Sequence, residues 1–206
     1  MRAVGEPLIS EFGPMLLAPA YTHFNRNIGI QSAYASGWRN ANIYLRPAGW
    51  AVMAACLADL PELAFDMYKK ACISIRSQNI EHYLNEPYAY SENYNGPDHP
   101  MRGAAQYQWN LGEGANWMWH SYVYYILGIT ADIPGPSRGP RIPTDWPGFS
   151  VRRNFRGSSY AIHVHNPSRV SSGVQSITID GVPLHSTIIP ASADGRSHEV
   201  EVLIRR

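Results

Sequence analysis

The pattern of residues predicts an α+β chain of two domains, and three observations carry the prediction. Apolar residues recur at helical spacing between Pro47 and Arg76, and again from Gly114 to Leu127. Prolines 134, 136, 140, 143 and 147 punctuate the stretch that follows. From Tyr160 onward, apolar and polar residues alternate with period two. The composition changes at Ile133, so a helical domain is expected over 1–132 and a β domain over 133–206.

Residues 1–49 are irregular, because Pro7, Pro14, Pro19 and several glycines break any period. A long ordered loop of this kind is usually functional or belongs to something larger. Within it, Trp38, Arg39, Asn40, Asn42, Tyr44 and Arg46 supply hydrogen-bonding and stacking groups, which a plain solvated loop also accommodates. Pro47 opens a first helix, since its fixed φ suits the first turn. Trp50, Met53, Ala54 and Leu57 mark its apolar stripe. Asp59-Leu60-Pro61 stops it and starts a second helix, with Ala64, Met67, Tyr68, Ala71 and Ile75 as its stripe. So short a turn implies an antiparallel helical hairpin.

Residues 79–105 form a second irregular segment, in which four tyrosines stand close to Glu86, Glu92, Asn93 and Asp98. The third helix, about 114–127, carries Trp117, Met118, Trp119, Tyr122, Tyr124, Tyr125 and Ile126 and leaves almost no polar face. It is expected to be buried on nearly all sides. Three helices cannot cover it, so either the chain is part of a larger helical body or it pairs with a second copy. In the tail, Tyr160, Ile162 and Val164, then Ile177 and Ile179, then Val200, Val202 and Ile204 mark strand faces, and Asp180-Gly181 is a hairpin turn signal. Short antiparallel strands are expected. His163 and His165 share a strand face, but no third ligand presents itself, so no metal site is assigned.

Composition narrows the function. The 206 residues carry a net charge of +1, which argues against nucleic acid or an anionic membrane as partner. Six Trp and 13 Tyr outnumber 5 Phe, which suits a wet, sugar-like or peptide-like ligand surface as well as ordinary packing. Cys56 and Cys72 are too few and wrongly spaced for a disulfide framework or a metal site. No apolar run reaches bilayer length, and no secretory leader is evident, so a soluble, cytoplasmic chain is expected.

Gln106-Tyr-Gln-Trp-Asn-Leu-Gly-Glu-Gly-Ala-Asn-Trp-Met-Trp-His120 places one carboxylate, Glu113, between Gly112 and Gly114 at the start of the third helix. Two readings stay open here. Glycines allow close approach of backbone to a ligand, and a helix N-terminus welcomes an anion or a polar substrate. Equally, this is a turn opening a buried helix, with Glu113 facing the positive end of the dipole.

Several stretches in order resemble the cellobiose and chitobiose phosphorylase family, inverting enzymes of glycoside hydrolase family 94 that split β-linked disaccharides with phosphate. They are Leu16-Leu-Ala-Pro-Ala-Tyr-Thr22, Pro47-Ala-Gly-Trp-Ala-Val-Met-Ala54, Asn85-Glu-Pro-Tyr-Ala-Tyr-Ser91, Gly96-Pro-Asp-His-Pro100, Trp117-Met118, Ile126-Leu-Gly-Ile129 and Ile142-Pro-Thr-Asp-Trp-Pro-Gly-Phe149. The resemblance implies the C-terminal helices of an (α/α)6 barrel followed by an antiparallel β-sandwich. It also implies an incomplete chain, because the family's general acid lies in a Trp-Asn-Asp segment that does not occur here.

The departures from the family are specific. Where it has Glu-Asn-Gly-Gly and then a His four residues before Trp50, this sequence has Arg39-Asn40-Ala41-Asn42 and Arg46. Where it has Thr-Gly-Thr, this sequence has Gly112-Glu113-Gly114. By resemblance, Arg39, Asn40, Glu86 and Tyr88 are substrate-binding candidates, Arg46 and Gly112 bind phosphate, and Glu113 is a candidate base. Inorganic phosphate is then the co-substrate, and no cofactor is implied. A carboxylate about 4 Å from phosphate costs roughly 4 kcal/mol per charge at an effective dielectric near 20. Either Arg46 neutralises Glu113 in an ion pair, or Glu113 activates water, as an inverting hydrolase requires. Arg39 in place of a Glu suggests an acidic acceptor such as an aldonic or uronic sugar. A non-catalytic sugar-binding remnant is the reading from another class.

Overall fold

The structure is a computed structural model that describes residues 7–32, 39–106, 113–130 and 139–205. The chain divides into two compact units, Met1–Tyr122 and Val123–Arg206.

Unit 1 is built around two adjacent helices and three short strands. Helix α1, Leu45–Leu57, ends in a Schellman motif: Asp59 takes the left-handed conformation at φ 56°, its N–H reaches Cys56 O at 3.2 Å, and Leu60 N–H reaches Ala55 O at 2.9 Å. Pro61 then occupies the first position of α2, Pro61–Ala71, so stop and start signals lie next to each other. Single turns follow as α3, Ile73–Arg76, and α4, Ile80–Tyr83. Helix α5, Glu113–His120, continues into a π-helical turn, Ser121–Ile126. Strands β1, Ile9–Ser10, and β2, Gly13–Pro14, form a hairpin. Strands β3, Ile43–Tyr44, β4, Asn93–Tyr94, and β5, Ala105–Gln106, form an antiparallel sheet that ties the two irregular segments together. Its core gathers Phe12, Ile43, Leu45, Ile73, Tyr83, Tyr94 and Met118. Tyr94 is fully buried, and its hydroxyl donates to Ala71 O at 3.0 Å.

The face buried by α1 differs from the expected one. Leu45, Ala48, Gly49, Val52, Ala55 and Cys56 point inward. Trp50 and Leu57, from the expected stripe, are 46% and 50% exposed. Periodicity locates a stripe of bulky residues. Burial here follows instead from close helix approach, which only small residues permit. On α2 the expected Ala64, Met67 and Ala71 are buried, but the helix breaks at Cys72 and leaves Ile75 exposed. Helix α5 is covered only in part, with Trp119 55% exposed, as expected of an apolar helix that three helices cannot enclose.

Unit 2 contains β6, Gly148–Phe155, β7, Ser158–His165, β8, Val174–Ile179, β9, Val182–Leu184, and β10, Ser197–Ile204. They form one sheet in the order β6-β7-β10-β8-β9. Tyr160, Ile162, Val164, Ile177, Val200, Val202 and Ile204 are its buried apolar side chains. Asp180 and Gly181 at φ 49° and 79° make the β8–β9 turn.

The barrel and sandwich expectations are overturned. No (α/α)6 barrel is present; among the described residues there are five α-helices, and only α1 and α2 form a hairpin of any length. A closed ring of such hairpins needs more helices than these. The β unit is one five-stranded sheet among the described residues, and it is mixed: β10 pairs parallel to β7, with Ile162 opposite Val200. Alternation is the same for parallel and antiparallel strands, so it could not reveal that β10 inserts between β7 and β8.

Candidate functional site

Helices α1 and α5 lie side by side with their starts together. A Cβ on Gly49 would stand 2.9 Å from Trp117 O, and one on Gly114 would stand 3.1 Å from the Leu45 Cβ. Residue 45 thus meets 114 and residue 49 meets 117, so the helices run in the same direction. Both N-termini, the positive ends of their helix dipoles, reach one end of the unit.

That packing places Arg46 and Glu113 together. Arg46 Nη1 lies 2.8 Å from Glu113 Oε2, with the side chains 32% and 49% exposed. Glu113 opens its helix, where a negative charge is favoured. Arg46 sits in the first turn of α1, where a positive charge is not, and its neighbours offset this. Its Nη2 donates to the Tyr44 hydroxyl at 2.9 Å, and its guanidinium lies 5.3 Å from the Tyr44 ring centroid and 5.8 Å from that of Trp50. Trp50 meets Trp117 edge to face at 5.6 Å. The Arg46 Nε is buried without a hydrogen-bond partner among the described residues.

Tyr44 is the hub. It is 6% exposed, accepts from Arg46 and stands beside the Glu92 carboxylate. Burial first, then the Glu92 carboxylate, pushes its phenol above the ordinary value. Arg39, held at φ 61°, brings its guanidinium to 5.5 Å from the same ring. One end of the unit therefore combines two guanidinium groups, two carboxylates, a phenol and two indoles. Such a surface can stack a sugar ring and engage an anion or a carboxylate.

The remaining sequence-predicted residues fall elsewhere. Asn40 is fully buried, and its amide is spent on the Tyr21 backbone, accepting from N–H at 2.8 Å and donating to O at 2.9 Å. It fixes a loop. Glu86 and Tyr88 lie on the exposed loop after α4, Tyr88 at φ 60° and 75% exposed. Among the described residues, no hydrogen bond or ion pair joins them to Arg46 or Glu113. Gly112 lies outside the described residues. Glu92, six residues beyond Glu86 in the same acidic, tyrosine-rich segment, is the carboxylate that reaches the cluster. The signal missed was β-pairing: Leu45 N–H donates to Glu92 O at 3.1 Å, which draws Glu92 beside Tyr44. Among the described residues, no group of His, Cys, Asp and Glu is arranged to hold a metal ion. No described helix is long and apolar enough to cross a membrane. Cys56 and Cys72 form no disulfide among the described residues.

Comparison with known proteins gives these observations a family. Residues 1–128 match the family described as glycosyl hydrolase 94 superfamily, catalytic domain. The chain is 36% identical to N,N'-diacetylchitobiose phosphorylase of Vibrio proteolyticus over 99% of its length and 25% of that protein. It is 33% identical to solabiose phosphorylase of Paenibacillus borealis over 98% of its length and 26% of that protein. A third relative is 3-O-beta-D-glucopyranosyl-beta-D-glucuronide phosphorylase of the same organism, 30% identical over 98% of the chain and 26% of that protein. The chain thus spans about a quarter of the length of these relatives. The matched residues include α1, α5 and the Arg46–Glu113 cluster, and the chain belongs to the glycosyl hydrolase 94 superfamily.

Proposed function

We propose that this chain supplies the acceptor and anion side of the cleft of an enzyme that phosphorolyses a β-linked disaccharide with inversion, using inorganic phosphate as co-substrate. The observation that carries the reading is the Arg46 guanidinium, set between two helix starts with its Nε buried and without a hydrogen-bond partner among the described residues. A phosphate oxygen fits such a donor. Three relatives named as phosphorylases support the reaction class. By family analogy the general acid comes from a Trp-Asn-Asp segment, which these 206 residues lack, so the chain alone is inactive in this reading. A cytoplasmic location belongs to the reading, as an expectation from the sequence alone. So does a homodimer, supported by the exposed Trp50 and Leu57 stripe.

Arg39 supports an acidic acceptor sugar, and a relative named for a glucuronide substrate lends weight to that class. Titration of the chain with a neutral disaccharide and with its aldonate, followed at the Trp50 and Trp117 indole resonances, tests this. Tighter binding of the aldonate is expected, and equal affinities remove the idea.

A second reading is favoured by Glu113 itself. It lies in the segment where the family has Thr-Gly-Thr and is half exposed beside Arg46, so it can serve as the base of an inverting hydrolase. The natural gene product that carries this chain separates the two. A glycosyl phosphate formed only with phosphate present supports phosphorolysis. Free sugar released in phosphate-free buffer supports hydrolysis and overturns the first reading.

A further inference from the structure

Unit 2 contains a second charged cluster that the sugar chemistry does not use. His198 on β10 is 8% exposed, and both of its ring nitrogens face carboxylates. Its Nδ1 lies 2.7 Å from Asp180 Oδ2 in the β8–β9 turn, and its Nε2 lies 3.2 Å from Asp194 Oδ1 in the loop 185–196. A neutral imidazole has one N–H and one lone pair, so it can satisfy only one of these carboxylates and must turn its lone pair on the other. The arrangement calls for the imidazolium, which donates to both.

The ring is closed in by what surrounds it. Tyr160 of β7 stacks on it at 5.4 Å between centroids. The Tyr160 hydroxyl accepts from Ser192 N–H at 2.8 Å and donates to Pro190 O at 3.3 Å. Asp194 Oδ1 also accepts from the Ser158 hydroxyl at 2.9 Å and from Arg196 N–H at 3.0 Å. Asp180 Oδ1 accepts from Glu199 N–H at 2.9 Å. The Glu199 carboxylate points away, to His163 Nε2 at 3.2 Å on the other face of the sheet. Asp180, Asp194 and the Tyr160 phenol are therefore the titratable groups that face His198. Beside them, Ile188, Ile189 and Pro190 of the same loop line an apolar cavity of about 130 Å³ together with Ile162 and Val164.

We infer that His198 is a proton-operated latch: as the imidazolium it fastens the loop 185–196 and the β8–β9 turn to the sheet, and loss of its proton releases that loop from the apolar cavity. The electrostatics agree with the geometry. The Asp180 hydrogen bond, then that of Asp194, raises the imidazole above its usual 6.5. The Arg196 amide is the largest influence lowering Asp194, to about 2, and the His198 hydrogen bond is the largest lowering Asp180. A raised His contributes stability that is complete below 6.5 and lost as pH rises through its folded value. A lowered Asp contributes stability present above 3.8 and lost as pH falls through its folded value. The latch is thus fully closed between these limits and opens on the alkaline side.

Hydrogen exchange on the intact chain tests the latch, with protection factors corrected for the intrinsic pH dependence of exchange. The Ser192, Asp194 and Arg196 amides should lose at least ten-fold protection between pH 6 and pH 9, with a midpoint that follows the His198 ring signal in NMR. The Val151 and Ile162 amides should not change. In His198→Gln the loop amides should show the low value at both pH values. Equal loop protection at pH 6 and 9, a His198 ring titrating at or below 6.5, or equal loss at Val151 and Ile162 overturns the inference. Should His198→Gln fail to fold, the wild-type titration alone decides.

Discussion

The two units each hold a charged cluster, and they hold it in opposite ways. In unit 1 the Arg46–Glu113 pair is one third to one half exposed, so a solvent molecule or a ligand can replace either partner. In unit 2 the His198 ring is closed between Asp180, Asp194 and Tyr160. An exposed pair contributes little to stability and stays available for chemistry. A buried imidazolium depends on its partners, since removing either carboxylate leaves one of its N–H groups without an acceptor. A site poised for ligands and a device that holds the chain together therefore call for different degrees of burial.

The sharpest way to break this comparison is His198→Phe. It leaves Asp180 and Asp194 without their shared donor, and unit 2 should lose more stability than in any other change considered, more at pH 6 than at pH 9. Urea unfolding at the two pH values measures it, and equal loss at both contradicts the imidazolium. Next is Gly49→Val, whose Cβ stands 2.9 Å from Trp117 O. It should destabilise unit 1 by about 1–3 kcal/mol, and it should part Arg46 from Glu113, which the Trp50 and Trp117 indole shifts would report. Tyr44→Phe removes a hydroxyl that serves both Arg46 and Glu92 and should cost about 1 kcal/mol. The smallest stability effect belongs to Glu113→Thr, about 0.5 kcal/mol for an exposed pair. The same change should tighten phosphate binding several-fold by calorimetry, since it removes a carboxylate from the anion's place. An unchanged affinity would detach Glu113 from the anion site.

Much of this was legible in the residues, and the misses share a cause. Asp59-Leu60-Pro61 marked the break between α1 and α2, because a stop signal and a start signal are local chemistry. Asp180-Gly181 marked its hairpin for the same reason. The pairing of Arg46 with Glu113 was raised by comparing this sequence with a family pattern, and the two lie 2.8 Å apart. The expected stripe of α1 failed because its inward face is set by Gly49 and Ala48 packing on a helix more than sixty residues away. Glu86 was singled out on its Glu-Pro-Tyr motif, yet backbone pairing at Leu45 brings Glu92 to Tyr44. Asn40 carries the side chain of a ligand contact but is fully occupied by Tyr21.

The sequence by itself determined the break between α1 and α2 at Asp59-Leu60-Pro61, the β8–β9 turn at Asp180-Gly181, which faces of β7, β8 and β10 are apolar, and the chemical groups available for sugar and anion. Those properties depend on neighbours a few residues apart. Only the tertiary structure decided that β10 runs parallel to β7, that Glu92 rather than Glu86 meets Tyr44, and that His198 lies between two carboxylates. Each of these is a meeting of groups distant in the chain, selected by which arrangement buries apolar surface while pairing most buried donors and acceptors.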